Sequence, residues 1–346
     1  GTPTPTDATV SKNLKATYQD EFILGFERQF TPLWKGGVTL TYRNLGRAAE
    51  DSAIDAAVLA YCTKNGIAGC GAIWTGFHQY VVNNPGLAQT IQLSDLLPGE
   101  TTLRTIDFSA ADLGYPKVKR EYIGLEFQFE RAWDGKWMAQ GSYVLSESKG
   151  NYEGAVKSDV GQTDTSVTQD FDQPGLTDGS YGLLPNHRAH QFKAYGAYQL
   201  TEDLLVGANL TVMSPHKLGC LGRHPTDQFA QVYGASSFFC RAGNVSTGAL
   251  VSTPRGSVME NDWSTALDMS LSYTIPQAWT MVPGDLTFRA EVFNVFNSDA
   301  ITNSQERGTD ASGGVAFIPG TTTAAYGAPT AYQQPRYVRF GFNWAF

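Results

Sequence analysis

The sequence predicts an all-β fold, a transmembrane antiparallel β-barrel wall of about nine strands, and three observations carry that prediction. Apolar and polar residues alternate with period two in segments of about ten residues or more. The connections between the segments alternate between short and very long. No stretch approaches the roughly 18 uninterrupted apolar residues of a membrane helix, so a bilayer crossing needs strands that satisfy one another's backbone groups.

In chain order, segments near residues 20–30 and 36–45 flank a turn from Thr31 to Lys35, and a connection over about 46–115 follows. Inside it, FHQYVV near 73–82 and TLRTIDF near 101–109 read as an additional hairpin, which would keep the strand number odd. The third segment, near 116–131, sets Ile123, Leu125, Phe127 and Phe129 against Gly124, Glu126, Gln128 and Glu130. The chain turns over Ala132 to Gly135 and returns near 136–148, before a loop over about 149–186. Segments near 187–200 and 203–214 meet at Thr201-Glu202, and in the second of these Leu204, Val206, Ala208, Leu210 and Val212 alternate with Leu205, Gly207, Asn209 and Thr211. After a loop over about 215–261, the segment near 262–275 sets Leu267, Met269, Leu271 and Tyr273 against Asp268, Ser270, Ser272 and Thr274. Pro276 to Gly284 leads into the segment near 285–298, with Leu286, Phe288, Ala290 and Val292 on one face and Thr287, Arg289 and Glu291 on the other. A loop over about 299–334 precedes the last segment, 335–346.

Alternation alone suits a soluble sandwich equally well. Loop length separates the two, because short turns at one end and long loops at the other are the pattern of outer-membrane barrels. A strand of about 14 residues at roughly 3.3 Å each, tilted near 45°, covers about 33 Å along the membrane normal, enough to span the hydrocarbon. With the short turns taken as periplasmic, Phe129, Trp137, Tyr198, Tyr273, Phe288, Trp344 and Phe346 fall at strand ends beside those turns, as an interfacial belt requires. The central part of each apolar face carries no charge.

Composition agrees: Gly is 36 of 346 residues, aromatics 12 % and hydrophobic residues 42 %, which suits many strands with wide polar loops. A net charge of −8 without a Lys/Arg-rich run argues against a nucleic-acid partner. The four cysteines fall in two close pairs, Cys62 with Cys70 and Cys220 with Cys240, and read as local disulfides of an oxidising compartment. The competing zinc reading lacks a Cys-x-x-Cys or paired Cys/His spacing.

Chain direction adds an expectation. If the last strand ends in the periplasm, nine strands make the first run inward, and residues 1–19 belong to an extracellular loop. Single-chain bacterial barrels have even strand numbers, so the remaining strands are expected on a separate or missing polypeptide. The opening Gly1-Thr2-Pro3-Thr4-Pro5-Thr6, without Met or a signal segment, reads as a processed, truncated or cut start.

The final residues, Arg339-Phe340-Gly341-Phe342-Asn343-Trp344-Ala345-Phe346, resemble the terminal assembly signal of outer-membrane barrels, with Arg339, Gly341, Trp344 and Phe346 at its marked positions. The strand FRAEVFNVFN, Phe288 to Asn297, followed by a loop and Pro335-Arg336-Tyr337, is similar to the carboxyl end of TonB-dependent receptors. TYQDEFILGFERQF, TYRNLGR, SKGNYEGAV and LLPNHRAHQFKAYGAYQL resemble the large Oar-like, OmpA-related branch of that family. The resemblance implies the carboxyl-terminal part of a 22-stranded barrel, with an amino-terminal plug and a TonB-gripped box in the absent portion. It implies uptake of a ligand from outside the cell, a TonB partner acting through that portion, the barrel-assembly machinery, and contact with membrane lipid and lipopolysaccharide. Two other functions keep the same barrel: a surface adhesion or assembly protein, and a passive porin without a plug.

No His-Glu-x-x-His, Gly-x-Ser-x-Gly, phosphate loop or dinucleotide fingerprint occurs, so the sequence supports no enzyme. His187 and His190 would point to opposite faces of a strand. Glu126, Glu130, Arg289 and Glu291 fall on the polar face, read as a wet wall against a plug. Asp159, Asp164, Asp170, Asp172 and Asp178 make the 149–186 loop acidic; calcium would suit such oxygens, although the spacing matches no EF-hand and a solvated loop is the blander reading. Trp74, His78, Tyr80, Tyr181, Tyr233, Phe238 and Phe239 are the candidate ligand contacts, as aromatics in outer loops.

Overall fold

The computed structural model describes residues 8–162, 168–241, 249–280, 283–307 and 326–346. Nine antiparallel strands, each hydrogen-bonded to the next, form one wall: β1 (Tyr18–Gln29), β2 (Trp34–Arg47), β3 (Arg120–Arg131), β4 (Trp137–Gly150), β5 (His190–Gln199), β6 (Leu204–Met213), β7 (Ser264–Ile275), β8 (Asp285–Phe293) and β9 (Tyr337–Ala345). The two-residue strand Gly182–Leu183 adds to the loop end of β4. No helix among the described residues is long and apolar enough to cross a membrane.

Register turns the sequence alternation into two continuous surfaces. Directly opposed residues share a face, and one row runs Leu24–Leu40–Leu125–Leu145, another Phe192–Val212 and Ala194–Leu210–Leu267, then Leu271–Ala290–Phe340 and Tyr273–Phe288–Phe342. The reverse face runs Thr39–Glu126, Lys35–Glu130–Gln140–Tyr195–Asn209–Asp268 and Ser270–Glu291–Arg339. The apolar face stays uncovered: Leu24 is 61 % exposed, Phe26 65 % and Phe340 68 %. So large an uncovered apolar surface, rimmed by polar residues, suits lipid contact.

Beside the short turns the aromatic row is present. Trp34 and Trp137 meet edge to face at 5.9 Å, Trp137 lies opposite Tyr198, and Tyr273 opposite Phe288. Local chemistry sets these turns. Asp134 Oδ1 accepts the amides of Lys136 and Trp137 at 2.9 and 3.0 Å, while Gly135 takes φ +90°, which a side chain would strain. Thr31 Oγ1 accepts the amides of Leu33 and Trp34 at 3.3 and 3.1 Å.

Two expectations need correction. The eighth strand stops at Phe293 rather than running to 298, because Asn294 and Asn297 adopt left-handed backbone at φ 49° and 52°. The extra hairpin does not form: Tyr80–Asn83 pairs with Glu50–Ala53, and Thr105–Phe108 with Gln89–Gln92, so neither segment pairs with the other or joins the wall. The same loop holds two helices, α1 (Asp55–Lys64) and α2 (Ala110–Leu113), the latter closed by a reciprocal cap between Ser109 and Asp112.

The well-buried apolar core lies in the loops, not in the wall. Ile54, Val58, Trp74, Val81, Ile91, Leu93 and Phe171 are fully enclosed there. Residues 8–12 join this body through Val10 beside Val82, with Ser11 donating to the Val82 carbonyl at 2.9 Å.

Candidate functional site

Two features are candidates for a functional site: the polar face of the wall and the knot of loops at one end of it. The polar face is a lattice of charges and amides. Lys35 pairs with Glu130 at 2.8 Å, Glu21 with Arg43 at 2.5 Å, and Glu291 bridges Arg289 at 2.9 Å and Arg339 at 2.6 Å. Ion pairs on a water-facing surface add little to stability, so their alternating sign matters more for wetting. A hollow of about 330 Å³ lies against this face, lined by Glu27, Lys35, Gln128, Glu130, Ser142, Lys193, Tyr195 and Asn209 among others. Glu130 is thus brought to a hollow with Lys35 and Lys193, whereas Arg289 and Glu291 belong to a second one nearer β8.

The loops bind one another across large sequence separations. Ala53 donates to the Asp172 carbonyl at 3.1 Å, the Thr168 amide to Glu50 Oε1 at 2.8 Å, and Gln173 to the Gly76 carbonyl at 2.6 Å. Gly175 donates to Asp227 Oδ2 at 3.0 Å, and Gly219 to Glu306 Oε2 at 2.8 Å. The four long connections therefore form one cap. Disulfides Cys62–Cys70 and Cys220–Cys240 close loops within it.

At its centre lies a buried ion network. Arg255 reaches Asp159 at 2.8 Å and also Asp170, while Lys157 meets Asp170 at 2.7 Å and donates to the Ser236 carbonyl at 2.8 Å. The Phe238 ring lies under both cations, 4.9 Å from Arg255 Cζ and 5.2 Å from Lys157 Nζ. Burial alone would raise Asp170, but Arg255 and Lys157 outweigh it and hold its carboxyl low. Burial pushes Asp159 up against the pull of Arg255, Glu50 up to about 8, and Asp172 up to about 6.

These positions bear on each residue singled out in the sequence. Trp74 and Phe238 have no exposed surface and serve as packing, because each sits inside the loop core and presents nothing to a ligand. Tyr80 and Tyr233 come together, hydroxyl to hydroxyl at 2.8 Å, with Phe77 against Tyr233 at 5.9 Å between ring centres. His78 is exposed near Asp95 at 3.8 Å, Tyr181 donates to Glu121 at 3.1 Å, and Phe239 lies edge-on to His224 at 5.0 Å. His187 and His190 do not converge: His187 Nδ1 accepts the Ser148 amide at 3.2 Å, and His190 Nδ1 meets the Tyr143 hydroxyl at 2.7 Å.

The acidic loop spends its carboxylates on protein partners. Asp159 and Asp170 are taken by Arg255 and Lys157, and Asp178 lies 3.1 Å from His224 Nε2; Asp164 lies outside the described residues. Among the described residues, no group of three or more His, Cys, Asp or Glu side chains is arranged to hold a metal. In β9, Arg339 Nε donates to Glu291 Oε2 at 2.6 Å, Gly341 faces open space, and Trp344 packs on Phe346 at 5.1 Å. Sequence reading missed Phe77 and Val232, which is 68 % exposed beside Tyr233; each lies next to a candidate that was found. It also missed Lys35, Lys193 and Tyr195 on the polar face, although their parity within the strands was a usable signal.

A scan against protein-family models finds no match. The chain is 23 % identical to the TonB-dependent transporter Oar of Myxococcus xanthus, over 97 % of this chain and 29 % of the relative. It therefore spans less than a third of that relative's length. Similar solved structures include the ferric-catecholate import receptor Fiu of Escherichia coli K12, with TM-score 0.43, 14 % identity, and coverage of 96 % of this chain and 28 % of that one. The ferripyoverdine receptor of Pseudomonas aeruginosa overlays with TM-score 0.45 at 11 % identity, over 94 % and 27 % of the two chains. The FrpB iron transporter of Neisseria meningitidis gives TM-score 0.44 at 12 % identity, over 97 % and 32 %. With a wall of nine antiparallel strands apolar on one face, two loop disulfides and similarity to Oar along nearly all its length, the chain has the build of part of a Gram-negative outer-membrane β-barrel and is similar to a portion of a TonB-dependent transporter.

Proposed function

We propose that this chain supplies part of the wall and the outer loops of a transporter that takes up a ligand from outside the cell, driven by TonB through a plug carried on another part of the receptor. The observation that carries the proposal is the continuous polar face, with its charged hollow of about 330 Å³ at Lys35, Glu130 and Lys193, beneath a cap of cross-linked loops. A polar lattice on one face of a lipid-facing wall is suited to lie against a solvated plug and along a ligand's path. The half-buried pair Tyr80 and Tyr233, with exposed Phe77 against Tyr233 and exposed Val232 next to it in the chain, is the first-contact surface in this reading, and Tyr181, His78 and Phe239 are further loop aromatics for such contact. Both outer edges of the sheet, β1 and β9, are unpaired among the described residues, and the remaining strands of a closed barrel would meet them there. The terminal strand with Arg339, Gly341, Trp344 and Phe346 is the segment offered to the assembly machinery. The relatives named above are described as transporters and receptors, and the function proposed involves no catalysis.

The test is conductance of the intact receptor in a planar lipid bilayer. A plugged transporter carries no steady current until the plug is pulled or unfolded. A steady open-channel current from the untreated receptor would support the passive porin instead.

A further inference from the structure

Across the polar face, one row of directly opposed residues runs Glu27–Gly37–Gln128–Ser142–Lys193 over β1 to β5. All five line the hollow of about 330 Å³ described above. The row opens with a carboxylate and closes with an ammonium, and no charged or apolar side chain stands between them. Gly37 adds no side chain, while Gln128 and Ser142 offer an amide and a hydroxyl. Neighbouring strands lie about 4.8 Å apart, so the four steps from Glu27 to Lys193 cover about 19 Å.

The groups along this row are uncommitted. Among the described residues, Glu27 and Lys193 form no ion pair, and the side chains of Gln128 and Ser142 form no hydrogen bond. The adjoining row towards the short turns is settled instead: Lys35 is held by Glu130 at 2.8 Å, and the Tyr195 hydroxyl donates to Gln140 Oε1. Glu27, Gln128 and Lys193 are exposed, so an incoming molecule reaches them directly from the polar side.

We propose that this trough binds an extended peptide of about five residues with free termini, its ammonium at Glu27 and its carboxylate at Lys193. Five residues at about 3.3 Å each reach about 17 Å, and the two end contacts fill the rest of the span. Between the ends, Gln128 and Ser142 meet peptide groups, whose donors and acceptors need partners once water is displaced. Two opposite charges at a fixed separation select both the direction and the length of the chain, since a molecule with one charge satisfies one end only. The proposal rests on the reading of the polar face as a ligand's path and names the class of ligand that path takes.

The experiment uses the full receptor and its Glu27→Gln and Lys193→Gln variants, with penta-alanine as the probe in three forms: free at both ends, acetylated at the amino end, and amidated at the carboxyl end. Saturation-transfer nuclear magnetic resonance, which reads weak binding, gives the affinity of each. The free form is expected to bind the unaltered receptor about threefold tighter than either blocked form, the scale of a solvent-exposed ion pair. Lys193→Gln should abolish the preference over the amide and keep that over the acetylated form, and Glu27→Gln should do the reverse; the preference each variant keeps shows that it is folded. Absence of binding by the free form, equal affinity of all three forms for the unaltered receptor, or variants that lose neither preference would overturn the trough. A receptor that carries no steady current yet treats the three peptides alike keeps the transporter reading and loses only the peptide, whereas a steady current sinks the transporter reading whatever the peptides do.

Discussion

Arg255 shows what holds the loops. Its guanidinium and the Lys157 ammonium balance Asp159 and Asp170 in a site with almost no solvent, so removing one member strands the others. Arg255→Met is expected to loosen the cap by about 3–5 kcal/mol, the usual cost of breaking a buried pair. Hydrogen exchange of residues 157–162 and 168–181 would register that loss, while the wall amides stay protected. Glu50 makes a different prediction. Its Oε1 accepts the Thr168 amide but its Oε2 meets no partner, and burial raises its pKa to about 8. Opening the joint returns the carboxyl to the ordinary range, so opening releases a proton between about pH 4.5 and 8, and the joint weakens as pH rises through that window. Asp172, raised to about 6, adds to the lower part of it. Exchange at the 50–53 and 168–172 amides should be on the order of a hundredfold or more faster at pH 9 than at pH 5, after correction for intrinsic rates, and Glu50→Gln should flatten the dependence. No pH dependence in the unaltered receptor would show that Glu50 is ionised where it stands.

Among the elements, the end of β8 explains a sequence signature by mechanism. Asn294 takes left-handed backbone, its amide donates to Asp268, and its side chain bonds the Ser298 and Gln334 carbonyls at 2.8 Å each. Asn297 Oδ1 accepts the Arg336 amide at 3.0 Å, tying the loop's exit to its entry. The asparagines therefore stop the strand and stitch the connection to β9. Asn294→Val should cost about 1–3 kcal/mol through backbone strain and lost bonds, and Asn294→Gly less, measured by denaturant unfolding. The disulfides act on elements of the cap. Reducing Cys62–Cys70 and Cys220–Cys240 should release about 3 kcal/mol of local order each and speed proteolysis of the loops, while leaving the strands resistant.

Over the whole molecule, what the sequence revealed follows from what each part faces. Lipid lies on one side of the wall and polar surroundings on the other, so every strand repeats with period two, and Leu125 next to Glu126 is enough to assign faces. The wall is thus legible to within a few residues, apart from the end of β8, where left-handed asparagines override the pattern. The cap is not legible in the same way. Its burial follows no period, and its decisive contacts join residues far apart in sequence, as Glu50 joins Thr168 and Arg255 joins Asp159. Trp74 and Phe238 read as exposed loop aromatics for this reason, since nothing in their neighbours announces a packed core. Tyr80 and Tyr233 were found singly, and only folding makes them a pair.

The central claim is that the two faces of the wall see different solvents. The direct measurement is spin-label accessibility in native outer membranes, with single cysteines introduced one at a time from Ile123 to Glu130 of the full receptor. The four native cysteines are disulfide-bonded, so each introduced thiol is the only free one in this portion. Labels at 123, 125, 127 and 129 should be relaxed by oxygen dissolved in lipid, and labels at 124, 126, 128 and 130 by a water-soluble nickel chelate or shielded from both reagents. Accessibility without that alternation, or oxygen exposure at the glutamate and glutamine positions, would contradict the account.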